Sequence, residues 1–352
     1  MAKKIFVGLS GGVDSSVSAA LLKEQGYDVT GVYMKNWSKD LPGFPCPWKE
    51  DYQDAKRVAV QLGIPFKMYD FETQYKNVVV DYMIQQYKAG RTPNPDIMCN
   101  QEVKFKLFLR TALKDGADMI ATGHYAKTEN GKLLMAKDKN KDQTYFLYRV
   151  SKNALKKTLF PIGEYTKPEV RILAKKFGLV TADKKDSQGI CFVGQVGIKE
   201  FLQQYMHKDG PGAKLGGKII DETGKTIGKH DGAIFYTIGQ RHGLDVGGGL
   251  PYYVTGKDMK KNEVYVTTNL DDKKLWTKQI TLTDIHWIND EPNLAKIYQV
   301  RTRHRGLLIK AKLAKGETFH ELILEDEIRA ATPGQSAVVY DEDQCLGGGI
   351  IV

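Results

Sequence analysis

Cysteine is scarce in this chain. Of 352 residues only Cys46, Cys99, Cys191 and Cys345 carry a thiol, and no two of them have CxxC spacing. That excludes a zinc ribbon, a thioredoxin-type pair and a disulfide-stapled scaffold. Long apolar runs are missing too, so no segment reads as a membrane span. The start, Met1-Ala2-Lys3-Lys4-Ile5, has neither the apolar stretch nor the cleavage site of a signal peptide, and a cytoplasmic protein is expected. No internal repeat is evident. Acidic residues are outnumbered, 42 against 52 Lys plus Arg, for a net charge of +10. Such a field favours a polyanionic partner, nucleic acid above all, although a basic surface is also simply well solvated.

What is present is ordinary in bulk and specific in places. Hydrophobic residues make up 41% and charged residues 27%, as in a globular protein. The length calls for two or three domains. Over the first third, strand and helix patterns alternate. Strands are expected at 4–9, 28–34, 64–69 and 118–122. Helices are expected from Val13 to Gly26, at 51–62 with Gly63 as the stop, near 73–88 and near 103–114. This alternation predicts a parallel sheet with helices on its faces and a site at the carboxyl ends of its strands. Residues 151–185 read as helical and basic, with nine Lys or Arg against three acidic residues. Lys152, Lys156, Lys157, Lys175 and Lys176 there are candidates to track phosphates, against the plainer reading of a solvated helix face.

Beyond about residue 205 the helical period is lost. Turns such as Gly210-Pro211-Gly212, Gly216-Gly217 and Gly247-Gly248-Gly249 punctuate short β runs, for instance 233–238 and 263–267. The expectation is two small β-rich, barrel-like domains. The domains are therefore placed at 1–204 (including the basic 151–185 region), 205–277 and 278–352.

The string Ser10-Gly11-Gly12-Val13-Asp14-Ser15-Ser16, preceded by Gly8 and Leu9, joins the first strand to the first helix. Its glycines let the backbone approach an anion, and the N–H groups and dipole of the new helix attract one. The plainer alternative is a turn with Asp or Ser as N-cap. Asp14 beside a phosphate calls for a cation, so Mg²⁺ is implied near it, with no protein metal site assigned. No Lys follows the glycines, which rules out the Walker form. The string resembles the PP-loop of ATP pyrophosphatases, which implies that ATP is cleaved to pyrophosphate and AMP. Met34, at the end of the second strand, is a candidate rest for adenine, or else core. Gly123, in Ala121-Thr122-Gly123-His124-Tyr125, suits close approach to the nucleotide, with His124 expected on the rim, or else a surface or satisfied core histidine.

Two cysteines stand in distinctive settings. Cys99 follows Arg91-Thr92-Pro93-Asn94-Pro95-Asp96 in a proline-stiffened loop, just before a helix expected to start near Asn100. A helix amino terminus favours the thiolate. Cys191 lies in Asp186-Ser187-Gln188-Gly189-Ile190-Cys191-Phe192, at a loop edge. For each alone, a small buried hydrophobe is the alternative reading. Cys46 and Cys345 keep that reading. In the basic segment 298–315, Arg301, Arg303 and Arg305 would share one face of a strand and mark a surface that meets anions.

Taken in order, the loop, Asn-Pro-Asp-x-x-Cys-Asn, Ala-Thr-Gly-His-Tyr-Ala, Lys141-Asp142-Gln143-Thr144-Tyr145-Phe146-Leu147, Gln188-Gly189-Ile190-Cys191-Phe192, Tyr236-Thr237-Ile238-Gly239-Gln240-Arg241-His242-Gly243-Leu244 and Thr332-Pro333-Gly334-Gln335 span nearly the whole chain. The set resembles the bacterial tRNA-specific 2-thiouridylases. The resemblance implies that a wobble uridine of Lys, Glu and Gln tRNAs is adenylated at O2 and then thiolated. It implies that Cys191 carries a persulfide received from a sulfur-donor protein, that Cys99 is the nucleophile, attacking the persulfide to form a disulfide with Cys191 or assisting release of hydrosulfide, and that Asp96 is a general acid/base. Asn94 and Pro95 would hold the target base. His124, Lys141, Asp142, Gln143, Arg303, His304, Arg305 and Gln335 would contact that base or the tRNA. Some RNA thiolases use an iron–sulfur cluster, and Asp96, Cys99 and Cys191 could supply three ligands, but the Cys₄ spacings are absent and the persulfide route is preferred. Two other classes stay open at this point: a PP-loop ligase or amidotransferase on a small acceptor, and an RNA-binding protein without catalysis.

Overall fold

The computed structural model describes residues 2–40, 46–185, 198–206, 216–244, 246–247, 249, 251–317 and 319–352, with the side chains of 204–206 left out. Cys191 and the Gly210-Pro211-Gly212 turn lie outside the described residues, as does Gly248. Among the described residues, no helix is long and apolar enough to cross a membrane.

The amino-terminal half is built on five parallel strands in the order β3-β2-β1-β4-β7. These are β1 (Lys4–Gly8), β2 (Asp28–Lys35), β3 (Phe66–Asp70), β4 (Met119–Ala121) and β7 (Thr158–Leu159). The apolar run Ile5-Phe6-Val7 is buried throughout because both faces of the sheet are covered. Ile5 and Val7 point into one layer with α1 (Val13–Glu24) and α2 (Trp48–Leu62). Phe6, between them, points into the other, against Tyr75, Val79, Phe105 and Phe108. Each such side chain contributes about 1.5–3 kcal/mol on burial. Gly63 ends α2 in the left-handed conformation at φ 58°.

Two long helical stretches, 72–88 and 95–114, cover the Phe6 side, each with a π-helical interior, Lys76–Val80 and Cys99–Phe108. The second begins at Pro95, not near Asn100 as expected. Proline at N1 surrenders only an N–H that the first turn leaves unpaired anyway. Cys99 therefore lies inside the helix.

The basic stretch 151–185 is less helical than expected. Helices Lys152–Leu155 and Lys167–Lys176 flank the edge strand β7. A complete capping box at Thr166 and Glu169 starts the second helix, an arrangement that adds roughly 1 kcal/mol. Several of its cations are spoken for within the domain: Lys167 by Asp14, Lys184 by Asp51 and Asp54, Lys176 by Glu24.

A four-stranded sheet follows, in the order β10-β11-β8-β9, formed by β8 (Gly217–Ile220), β9 (Thr226–His230), β10 (Tyr253–Asp258) and β11 (Glu263–Thr267). The run at 233–238 is not a strand. Ala233 and Ile234 are both buried, and the chain turns there as a short 3₁₀ helix, Ala233–Phe235.

The last unit is a six-stranded antiparallel barrel: β12 (Trp276–Trp287), β15 (His320–Arg329), β14 (Ile309–Lys315), β13 (Ile297–Arg301), β16 (Ser336–Asp341) and β17 (Gln344–Ile351), closed by β12 pairing with β17. Its sheet reaches into the amino-terminal half. The hairpin β5 (Ala126–Glu129) and β6 (Lys132–Met135) adds to β17 through Leu133↔Cys345 and Leu134↔Gln344.

Arg301, Arg303 and Arg305 do not share a strand face. β13 ends at Arg301, and Arg305 takes φ 60° in the turn beyond. Arg301 itself is committed inward. Its guanidinium is 3.2 Å from the Asp142 carboxylate and 5.5 Å from the Tyr340 ring, with 7% of its side chain exposed and none of Asp142's. Asp142, expected at the tRNA, is thus an interior residue. It also accepts from the Ala136 N–H and the Thr144 hydroxyl. Burial pushes its carboxyl above the ordinary range, against the pull of those donors and of Arg301.

Removing one partner of a buried ion pair costs about 3–5 kcal/mol because the other charge is stranded. Asp142→Ala is expected to lower the urea midpoint for loss of the barrel accordingly, and more than Asp142→Asn. An unchanged midpoint contradicts this reading of the pair.

Candidate nucleotide and base-activation site

In a 3-2-1-4 strand order the connections leave β1 and β4 toward opposite faces of the sheet. A crevice opens beyond their carboxyl ends. Both expected nucleotide segments sit there. Residues 9–12 lead from β1 into α1, and Thr122-Gly123-His124 follow β4.

The loop is held by its own hydroxyls. Ser15 Oγ lies 3.2 Å from Ser10 Oγ, accepts from the Ser10 N–H and donates to the Gly12 carbonyl. Ser16 Oγ donates to the same carbonyl at 2.8 Å. The N-cap is Gly12, with extended backbone and no side-chain cap, so the alternative of Asp or Ser as N-cap does not hold. The hydroxyls fasten the turn and leave the first N–H groups of α1 facing the crevice uncapped, the arrangement that seats an anion.

Two glycines are required by space. Gly11 has φ 76°, and a Cβ there would stand 2.4 Å from the Asp51 carbonyl oxygen. A Cβ on Gly123 would stand 2.6 Å from Ser15 N and 2.8 Å from the Asp14 carbonyl carbon. The end of β4 therefore presses directly on the first turn of α1. Gly8 is roofed by Met34, whose Cε is 3.0 Å from where its Cβ would be, so those two expected nucleotide residues are neighbours. Leu9 and Val13 are core side chains, able to meet a ligand through backbone only.

Asp14 has its own cation. Lys167 Nζ is 2.7 and 2.9 Å from its two carboxylate oxygens, and the Tyr125 hydroxyl donates to it at 3.0 Å. Among the described residues no group of three or more His, Cys, Asp or Glu could hold a metal ion. Asp14 offers a single carboxylate, so a Mg²⁺ beside it would draw its remaining oxygens from the nucleotide and water, which suits that ion.

His124 is not on the rim. It is 8% exposed, packed between Phe105 and Phe160, with Thr122 Oγ1 2.7 Å from Nδ1 and Lys104 Nζ 3.4 Å from Nε2. Burial, then the Lys104 charge, holds its pKa well below the usual imidazole range, so it stays neutral. Its two ring nitrogens thus face Thr122 and Lys104 inside the domain.

The second half of the site lies along the helix that starts at Pro95. Asn94 is its N-cap residue, and Asp96 and Cys99, three positions apart, fall on one side. Cys99 is 1% exposed. Asn100 donates to the Phe146 carbonyl at 3.0 Å, and its own Oδ1 is buried with no partner among the described residues. Phe108, on the same helix, reaches to 3.7 Å from the Gly8 Cβ position. One helical stretch thus runs from Cys99 to the end of β1, where the nucleotide loop begins.

The Arg91–Pro95 loop is fastened from the carboxy-terminal side. Gln335 donates to the Thr92 carbonyl at 2.7 Å, Thr92 N donates to Pro333, and Thr92 and Thr237 hydroxyls meet at 3.1 Å. Gln335 thus positions the loop. Gln143 is similarly engaged, exchanging two hydrogen bonds with the Tyr125 backbone. His304 stacks on Phe146 at 4.5 Å, its Nδ1 buried without a partner among the described residues. Burial, then Arg305, Arg301 and Lys141, push its pKa down to about 4. Arg305 donates to the Asn140 carbonyl. Arg303, with Thr237, Gly239, Gln240, Thr332 and Gln335, lines a cavity of about 390 Å³ between the β units.

Sequence reasoning missed Tyr125, Lys167, Phe146, Thr92 and Thr237. Lys167 is 153 positions from Asp14, and only the Thr166-Lys167-Pro168-Glu169 helix start hinted that its place was specified.

A doubly wound sheet with an uncapped glycine-rich loop at its switch point, followed by two β units, defines a nucleotide-binding α/β enzyme scaffold. Family models match along the chain: the tRNA methyl transferase HUP domain over residues 3–195, the tRNA methyl transferase PRC-barrel domain over 199–268 and the aminomethyltransferase beta-barrel domain over 277–351. The chain is 47% identical to the tRNA-specific 2-thiouridylase MnmA of Bacillus subtilis (strain 168), over 99% of this chain and 94% of that protein. It is 50% identical to the protein of the same name from Neisseria meningitidis serogroup C, over 99% and 95%. It belongs to the tRNA-specific 2-thiouridylase family. Among solved structures, a 4-thiouridine synthetase–RNA complex with bound ATP is similar at 18% identity and TM-score 0.38, covering 57% of this chain and 50% of that one. At that level the likeness carries no argument.

Gly123→Ala is expected to push Ser15 off its position and weaken ATP binding at least about tenfold while the fold persists, since a backbone clash cannot be relieved by a rotamer change. Calorimetric titration checks this; undiminished affinity contradicts the contact.

Proposed function

We infer that the protein is an ATP-dependent tRNA sulfurtransferase that replaces O2 of a wobble uridine by sulfur. The observation that carries this reading is the single helical stretch that starts at Pro95, bears Asp96 and Cys99 near its start, and through Phe108 meets Gly8 at the end of β1, where the uncapped phosphate loop begins. Activation and replacement of one oxygen need these two chemistries side by side. The family membership supports tRNA as the carrier of that oxygen.

The chemistry balances in two steps. Uridine O2 attacks the α-phosphorus, a new O–P bond forms, and the bond to pyrophosphate breaks. The carbonyl oxygen has then become part of AMP, a good leaving group. The terminal sulfur of a Cys191 persulfide next attacks C2, and the C2–O bond breaks to release AMP. Cys99 attacks Cys191 Sγ, leaving sulfur on the base and a Cys99–Cys191 disulfide. Two electrons and a fresh sulfur from a donor protein reset the enzyme. Asp96 moves the proton at the base, while Asn94 and Pro95 hold it. Because Cys99 is buried, the base must leave its stack and enter to meet it. Lys141, Arg303, His304 and Arg305 would meet the anticodon arm. Gln143 joins them only by releasing Tyr125. Mg²⁺ accompanies ATP, and the cytoplasm is the expected compartment.

The test incubates tRNA bearing a wobble uridine with ATP, Mg²⁺, a cysteine desulfurase and cysteine, and analyses nucleosides by mass spectrometry. Wild type is expected to yield 2-thiouridine with one AMP per thiolation. Cys191→Ser and Cys99→Ser are each expected to yield none. Thiolation surviving in both variants sinks the assigned roles, and a stoichiometric iron–sulfur cluster required for turnover replaces the persulfide route.

A further inference from the structure

We infer that Lys167 is the protein's own counter-charge for the polyphosphate of ATP, stored on Asp14 until the nucleotide arrives. The inference rests on the nucleotide reading of the loop and adds to it a residue from the far end of the domain.

Three observations meet at Asp14. It stands in the first turn of α1, beside the N–H groups that seat an anion, so its negative charge lies close to whatever anion is bound. Lys167 spans both carboxylate oxygens at 2.7 and 2.9 Å. The pair is only partly withdrawn from water, with 31% of the Asp14 side chain and 13% of that of Lys167 exposed. An acid at an anion seat repels the ligand unless a cation stands beside it, and in this structure the cation beside Asp14 is Lys167. Its ammonium neutralises Asp14 in the empty site and can pass to a phosphate oxygen, exchanging one charge-assisted hydrogen bond for another.

The surroundings fix where that ammonium can reach. Lys167 is the first residue of a capped helix, and its backbone N–H donates to Asp138 at 2.9 Å, so the base of the side chain is anchored. Tyr125 closes the other side. Its hydroxyl donates to Asp14, and its ring lies 5.9 Å from the ammonium. When Lys167 shifts, Tyr125 keeps Asp14 in place with a donor of its own. Lys167 then carries out the task that the lysine of a Walker loop performs, from a different point in the fold. As O2 attacks and pyrophosphate departs, negative charge grows on the departing oxygens, and a preplaced ammonium lowers that barrier.

Calorimetric titration of the full chain with ATP and with adenosine, in EDTA to remove Mg²⁺, separates this role from a structural one. Lys167→Met is expected to weaken ATP by about tenfold to a hundredfold, the worth of one charge-assisted hydrogen bond, and to leave adenosine unchanged. Lys167→Arg is expected to recover part of the loss. Asp14→Asn, which breaks the same pair from the other side, is expected to keep or tighten ATP binding. Equal losses in Lys167→Met and Asp14→Asn, a parallel fall of adenosine, or unchanged ATP affinity in Lys167→Met each overturn the inference. Failure of the wild-type chain to bind ATP overturns the nucleotide reading itself.

Discussion

The backbone contact between Gly123 and the first turn of α1 is the constraint on which the site depends. With no Cβ on Gly123 or Gly11, β4 and the start of α2 close on the loop from two sides. The loop serines are consumed in holding the turn, so no side chain is left to cap the helix. An uncapped amino terminus is a cost in an isolated helix. Here it is the seat for phosphate, and the compact packing around it keeps the N–H groups aimed without any ligand.

The rest of the molecule brings a second chemistry to that seat. The barrel is not a tethered appendage. It extends its sheet through β6, buries Arg301 against Asp142, and fastens the Thr92 loop through Gln335 and Pro333. The loop that places Asn94, Pro95 and Asp96 is therefore held by residues more than two hundred positions away. Substitutions in the barrel act on the chemistry through this contact, which explains how a β unit at the carboxy terminus belongs to an enzyme whose reacting groups lie elsewhere.

Legibility followed the range of the interactions. The parallel sheet and its loop were readable because they rest on local signals: apolar runs, the glycine stop at Gly63 and the Ser10–Ser16 string. Cys99 stands out by its setting, although the proline pair reads as a non-helical loop and the helix in fact starts at Pro95. The arginine row fails because period two does not continue past Arg301, where β13 ends and the chain turns. Asp142 and His124 were placed at the surface because polar residues there are the commoner case. Their partners, Arg301 and Lys104, are supplied only by the fold. Lys167 was invisible for the same reason.

The central claim is that ATP activates a carbonyl oxygen of the RNA base and that sulfur then displaces that same oxygen. Oxygen tracing tests it most directly. A tRNA carrying ¹⁸O at O2 of the wobble uridine is thiolated in a single turnover, and AMP and pyrophosphate are analysed by mass spectrometry. The account predicts one ¹⁸O in AMP and none in pyrophosphate. Unlabelled AMP formed alongside 2-thiouridine contradicts it.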